Sequence, residues 1–397
     1  MSTNRLLDKE IMEREALFST CALTQGKLFS FTSSKRIPTI VDLHTGKTTL
    51  LNDLLNYDPA FNADDMLSFE NDIFILELNG KRLMKFNVKE RNCSYFNIDC
   101  DNKTWKNYAA FAYYGNNIYV FPVYTDGVIK IDLKKERVQK KKELYLHISE
   151  YKKDKKQDGE FTFFWCGCQS GSIVWLFQRS GELVVEYDLE SDTWREFELS
   201  IRIRECVHVT VYAGYMYILS AEGKIYRWNR KDNIAEEIAD CRSTSRMDFV
   251  FSRIAVTDKG IFLLPLYGEE IFYMDLKTKN VKKYDSYPED FRYCELSWSK
   301  YYGYCEDDNQ YYFAMRSANY ILTINKRDGI EKWVKAKLSS YEEYKKVYFS
   351  YNRKLLCETE YSIEDILSYM KKENVEKQCR KNISKGEKIW DFAKSIC

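Results

Sequence analysis

An apolar strand that ends in Asp or Asn and runs into a polar turn recurs seven times along this chain. The seven are Val41-Asp42-Leu43, Phe86-Asn87-Val88, Ile131-Asp132-Leu133, Tyr187-Asp188-Leu189, Trp228-Asn229-Arg230, Met274-Asp275-Leu276 and Ile324-Asn325-Lys326. Their Asp or Asn positions are 45, 45, 56, 41, 46 and 50 residues apart. A repeat of roughly 40–50 residues marks an architecture in which each unit buries its apolar surface only against its neighbours.

The surroundings recur as well. Ahead of each landmark a turn carrying Gly26, Asn71, Gly115, Gly171, Gly214, Gly260 or Asn309 opens an apolar run such as Ile118-Tyr119-Val120-Phe121 or Ile261-Phe262-Leu263-Leu264. Another short run lies upstream, as in Val207 to Tyr212, and an alternating run follows, as in Trp194-Arg195-Glu196-Phe197-Glu198-Leu199. Short apolar runs punctuated by turn residues are strands, and four per unit make a propeller blade. The expected fold is all-β: a seven-bladed β-propeller over 15–339, with an N-terminal segment 1–14 and a C-terminal tail 340–397. The landmark carboxylates need no function, because a short side chain there can accept the backbone N–H groups just ahead of it and fix the turn.

The run Tyr187-Asp188-Leu189-Glu190-Ser191-Asp192-Thr193-Trp194 resembles the Kelch repeat, in which a Gly-flanked strand is followed by a tyrosine-aspartate turn and a tryptophan strand. The likeness extends over residues 15 to 338. Where that family carries a double glycine after the second strand, this chain has Phe121-Pro122-Val123-Tyr124 or Leu264-Pro265-Leu266-Tyr267. The resemblance implies a Kelch-like propeller.

Composition narrows the classes of partner. The 397 residues are 45% hydrophobic and 16% aromatic, enough for a large core, and the repeat assigns them to one domain where length alone suggests more. Lys and Arg number 61 against 60 acidic residues, so no global field draws the chain to nucleic acid or anionic lipid. The basic stretch Lys134 to Lys156 is interleaved with Glu136, Glu143, Glu150 and Asp154 and reads as a solvated loop. No run approaches the ~18 apolar residues of a membrane span. The charged N-terminus lacks the apolar run of a secretory signal, and the expected setting is cytoplasmic. The twelve cysteines are scattered, which points to reduced packing residues; Cys166 and Cys168, on one face of a strand, are the one pair to weigh as a metal or redox site.

In the tail, Ile363, Ile366, Leu367 and Met370 behind Ser362 predict an amphipathic helix over 362–374, and Ile389, Phe392, Ala393 and Ile396 a second. Tyr348 to Glu358 is expected as a hairpin. These helices either pack beneath the propeller or dock a second partner, with Trp390 as anchor.

No catalytic constellation stands out. Copper-oxidase chemistry wants more than His44, His147 and His208, the sialidase aspartate box is missing, and there is no phosphate loop, zinc helix or nucleophile elbow. No cofactor or metal is expected. Topology still selects a face, because inter-blade loops and second-to-third-strand loops converge on the channel mouth. The ligand-binding candidates there are Trp165, Arg179, His208, Glu222, Arg246, Asp248, Tyr267, Glu269, Arg292, Trp298 and Arg316. Mixed charge with aromatic platforms suits a protein segment or a carbohydrate, so a non-enzymatic binding or scaffold module is the leading reading. The alternative is a carbohydrate-active enzyme of mutarotase or epimerase type, with Glu222, Asp248, Arg246 and His208 clustered for acid/base transfer.

Overall fold

The computed structural model describes residues 18–32, 37–51, 54–58, 60–78, 80–98, 108–124, 127–154, 163–241, 251–266, 270–292, 301–316, 318–338 and 347. The chain divides into one unit, Met1–Tyr348, and a second, Phe349–Cys397. The hairpin and the two tail helices expected from the sequence lie outside the described residues.

The first unit is a seven-bladed propeller. Blade 1 holds β1 (Phe18–Thr24), β2 (Lys27–Thr32), β3 (Pro38–Asp42) and β4 (Lys47–Leu50), and blade 2 holds β5 (Ala63–Phe69), β6 (Asp72–Glu77), β7 (Arg82–Asn87) and β8 (Asn92–Asn97). Blade 3 holds β9 (Tyr108–Tyr114), β10 (Asn117–Pro122), β11 (Val128–Asp132) and β12 (Arg137–Lys141). A helix, α1 (Glu143–Asp154), follows it. Blade 4 holds β13 (Cys166–Ser170), β14 (Ile173–Phe177), β15 (Gly181–Asp188) and β16 (Thr193–Ile203), and blade 5 holds β17 (Cys206–Tyr212), β18 (Tyr215–Ser220), β19 (Lys224–Asn229) and β20 (Ile234–Asp240). Blade 6 holds β21 (Phe251–Val256), β22 (Gly260–Pro265), β23 (Phe272–Asp275) and β24 (Val281–Lys283). Blade 7 holds β25 (Tyr301–Glu306), β26 (Gln310–Met315), β27 (Tyr320–Asn325) and β28 (Glu331–Lys335), and β29 (Lys337–Leu338) ends the series.

Within each blade the strands pair antiparallel in chain order, the first innermost. The first strands neighbour one another from β1 to β21, and β25 lies back against β1. Second strands are buried along almost their whole length: five consecutive residues of β2, β6, β10, β18 and β26 are inaccessible. A strand covered on both faces has no polar side, which is why these runs are mostly apolar, with Ser30, Thr32, Glu77 and Ser220 as buried polar members. Fourth strands face water, as Val281–Lys283 does at all three positions.

All seven landmark residues fix their turns in the expected way. Asp42 Oδ1 accepts the N–H groups of His44 and Thr45 at 3.0 and 2.8 Å, and Asp275 those of Lys277 and Thr278 at 2.9 and 2.8 Å. Asp132, Asp188, Asn87, Asn229 and Asn325 do the same at 2.8–3.1 Å. The turns joining first to second strands are equally tight; Ala213 and Gly214 both take positive φ, 49° and 78°, matching a two-residue hairpin turn of primed type.

Two features differ from the sequence reading. The stretch Lys134 to Lys156 is not a loop: it supplies β12 and α1. Leu144, Tyr145 and Ile148 of that helix are buried between blades 3 and 4, where Tyr145 donates to the Pro122 carbonyl at 2.7 Å and its ring meets Phe163 and Phe164. Lysines on the solvated side of a helix conceal a short apolar stripe of this kind. The second is a strand beyond the four per unit: β29 adds a fifth to blade 1, parallel to β4, with Lys337 N–H donating to the Gly46 carbonyl at 2.8 Å.

Gly46 makes this outer latch possible. Its φ is +74°, and a Cβ there would lie 2.0 Å from the Lys335 carbonyl oxygen. Gly46→Ala is expected to cost at least about 2 kcal/mol, read from urea denaturation, because left-handed strain adds to a clash with backbone. The landmark turns make a separate, pH-dependent prediction. Backbone N–H donors, first of all those of Thr45, Lys135, Glu190 and Thr278, hold Asp42, Asp132, Asp188 and Asp275 below the usual carboxylate range. Their contribution is present above the unfolded value of about 3.9 and is lost as pH falls through the lower folded values. The quadruple Asp→Asn variant, with the residue that blades 2, 5 and 7 already use, should show a shallower fall in melting temperature between pH 5 and 2.

Candidate functional site

Antiparallel blades send the first-to-second and third-to-fourth turns to one face and all other connections to the channel mouth. On the mouth face of blades 4 and 5 two short connections are tied together. Residues 178–180 join β14 to β15, and Arg204-Glu205 joins β16 to β17. Cys206 N–H donates to the Arg179 carbonyl at 2.7 Å, Glu205 N–H to Ser180 Oγ at 3.1 Å, and Ala221 N–H to the Glu205 carbonyl at 2.8 Å. These bonds hold Glu205 in the left-handed region, φ +47°, without a glycine.

That backbone positions a row of side chains. The Arg179 guanidinium lies 4.9 Å over the Trp165 ring, and its Nη2 donates to Glu205 Oε1 at 3.1 Å. Trp165 is 4% exposed and packs in the core shared by blades 3, 4 and 5, its N–H donating to the Phe177 carbonyl at 2.7 Å. A guanidinium stacked on a buried indole gains attraction to the ring and keeps its in-plane donors available. Next along the row, Arg204 faces Glu222 at 4.0 Å, both well exposed. Of the predicted residues, then, Trp165, Arg179 and Glu222 share one ridge, with Glu205 as the link that sequence reasoning missed. The signal for Glu205 was the brevity of its connection, which leaves a charged residue no room to point elsewhere.

Gln178, also missed, is the unusual member of this group. It is 4% exposed, yet among the described residues neither Nε2 nor Oε1 of its amide has a hydrogen-bond partner. Its oxygen packs over Gly181, where a Cβ would lie 2.2 Å away. A buried amide left unpaired costs roughly 1–3 kcal/mol.

The other candidates are distributed differently. His208 stands on β17 just past a bulge, 8% exposed, its ring edge-on to Tyr304 at 5.4 Å and its Nδ1 accepting the Ile254 N–H at 3.3 Å. Arg253 lies 5.9 Å over the same Tyr304 ring, and burial holds the Tyr304 hydroxyl protonated. His208 is thus part of the packed wall of inner strands. Arg292 Nη1 donates to the carbonyls of Phe291 and Glu289 at 2.5 and 3.3 Å, bracing the segment that leads into blade 7. Arg316 follows β26 at the mouth and is partly buried. Arg246, Asp248, Tyr267, Glu269 and Trp298 lie outside the described residues. So do two of the four groups the acid/base reading needs, and the other two, His208 and Glu222, are held by different partners on different elements. Cys166 donates to the Cys206 carbonyl at 3.4 Å, and Cys168 packs against the same core. Among the described residues no cluster of His, Cys, Asp or Glu could hold a metal. A crevice of about 160 Å3, lined by Thr24, Lys27, Phe86 and Arg91 among others, lies on the opposite face between blades 1 and 2.

No family model matches the chain and no curated protein resembles it closely in sequence. Solved structures do resemble it in fold. PorZ, a surface component of the type-IX secretion system of Porphyromonas gingivalis, aligns with TM-score 0.52 and 12% identity over 83% of this chain and 39% of its own. The extracellular domain of the putative hybrid two-component system BT3049 from B. thetaiotaomicron gives 0.51 and 11%, over 78% of this chain and 40% of its own. YCF48, solved bound to D1 peptide, gives 0.51 and 11% over 78% and 92%. This chain therefore spans about two fifths of the first two. At these identities the likeness shows a propeller fold and nothing finer.

Replacing this buried amide by a near-isosteric apolar side chain, Gln178→Met, should raise stability by about 1 kcal/mol in urea melts.

Proposed function

We propose that the protein is a non-enzymatic recognition propeller, Kelch-like in its repeat, that binds an extended protein segment across the mouth of blades 4 and 5. The Arg179 guanidinium on its Trp165 platform carries the reading. Only Nη2 is engaged by Glu205, and the side chain is about one-third exposed (32%), which leaves Nε and Nη1 to grip an incoming carboxylate side-on. A carbohydrate fits this spot less well than a peptide: a sugar needs an open aromatic face, and Trp165 is buried beneath Arg179. YCF48, similar in fold, is bound to a peptide, which is consistent with a propeller used in this way. A second partner at the 340–397 tail belongs to the same proposal and rests on the apolar spacing from Ile363 to Met370.

Panning the full chain against a phage-displayed random peptide library tests the proposal. Enriched peptides should share an acidic residue, and Arg179→Ala should weaken the best of them at least about tenfold, equivalent to about 1.4 kcal/mol. Arg179→Lys, which keeps the charge but not the planar fork, should recover only part of the loss. Undiminished capture by the triple variant Arg179→Ala, Arg246→Ala, Arg316→Ala would refute the site.

A further inference from the structure

The ring closes where β25 of blade 7 meets β1 of blade 1, and two thiols touch at that seam. Cys21 Sγ and Cys305 Sγ are 3.7 Å apart, although the residues are 284 positions apart in the chain. Gly303 permits the approach: a Cβ there would lie 3.1 Å from Cys21 Sγ, 3.3 Å from the Thr20 carbonyl carbon and 2.9 Å from Ala314 Cβ. Cys21 is fully buried, whereas Cys305 is partly exposed. Another inter-blade thiol is occupied differently, since Cys166 is turned onto the Cys206 carbonyl. A disulfide needs its sulfurs at about 2.05 Å, so the two thiols are in contact and not yet bonded.

We propose that Cys21 and Cys305 are a reversible oxidation site, a disulfide clasp across the seam between the first and last blades, formed by a small peroxide. Cys305, the partly exposed member, meets the oxidant. Its thiolate sulfur attacks one peroxide oxygen, the O–O bond breaks, and Cys305 becomes a sulfenic acid while hydroxide leaves. The Cys21 thiolate then attacks the Cys305 sulfur, the S–S bond forms, and a second hydroxide leaves. The two thiol protons convert the hydroxides to two waters; the two sulfurs lose the two electrons that the peroxide gains. A dithiol reductant reverses the change by exchange. The Cys21 contact and burial hold the Cys305 thiol well above its ordinary range, so the thiolate is scarce at neutral pH and the reaction should quicken as pH rises.

Geometry gives the clasp a distinct consequence. The outer edge of blade 1 is joined to the end of blade 7 by the short β29 pairing, while at the inner edge β1 packs against β25 and the two thiols meet. A bond at Cys21 and Cys305 makes closure covalent and ties off most of the propeller as one loop, which restricts the unfolded chain.

The full chain, reduced and then exposed to hydrogen peroxide without denaturant, should yield on alkylation and peptide mapping a single dominant cross-link between the peptides holding Cys21 and Cys305. The oxidised protein should melt roughly 5 °C higher, reversibly with dithiothreitol. Formation should be faster at pH 9 than at pH 7. Cys305→Ser should abolish cross-link and shift together, and the wild-type peptide map decides the matter independently of how that variant folds. Recovery of both residues as free thiols, as sulfinic acids, or in disulfides shared among other cysteines would overturn the proposal.

Discussion

Every blade of this molecule depends on having a neighbour on each side. The second strand of a blade is buried on both faces, so an open array would leave one face of a terminal blade in water, and only a ring removes that exposure. Closure at the seam of blades 1 and 7 is therefore what buries the two faces that an open array would leave in water. The chain meets it twice. At the hub, Gly303 allows β25 to lie close against β1; at the rim, Gly46 allows β29 to run beside β4. In both places the enabling residue is a glycine at a close approach, and Gly46 also fills the left-handed position that follows every landmark residue by four.

The same antiparallel geometry makes the two ends of the ring different in kind. One face is made of turns whose every landmark Asp or Asn is bonded to backbone, so those carboxylates and amides are already engaged. The other face gathers the longer connections, and there charged groups such as Arg179 and Glu205 sit on a rigid backbone frame instead of replacing it.

Much of the architecture was legible because its signals are local. The spacing from Asp42 to Asn325, the turn glycines and the mostly apolar second strands each follow from a constraint within a few residues. What the sequence hid was whatever depends on distant partners. The stripe of Leu144, Tyr145 and Ile148 is diluted by lysines and becomes intelligible only once Phe163 and Phe164 are placed against it. A two-residue strand such as Lys337–Leu338 has no period to detect. His208 engages Ile254 and Tyr304, one and two blades further on, and that engagement has no trace in its own surroundings. The burial of Gln178 without a partner among the described residues is visible only in three dimensions.

The connections between blades range from the two residues Arg204-Glu205 to the whole span 142–165 containing α1, yet the blades on either side of each keep four strands in the same order. Ring size is thus set at the hub, by how closely the first strands pack, and is indifferent to how much chain passes overhead. Growth by insertion can enter at these crossings without altering the number of blades, whereas a single residue added to a turn on the opposite face would shift the register of a hairpin. The molecule has one margin along which it can lengthen and another along which it cannot.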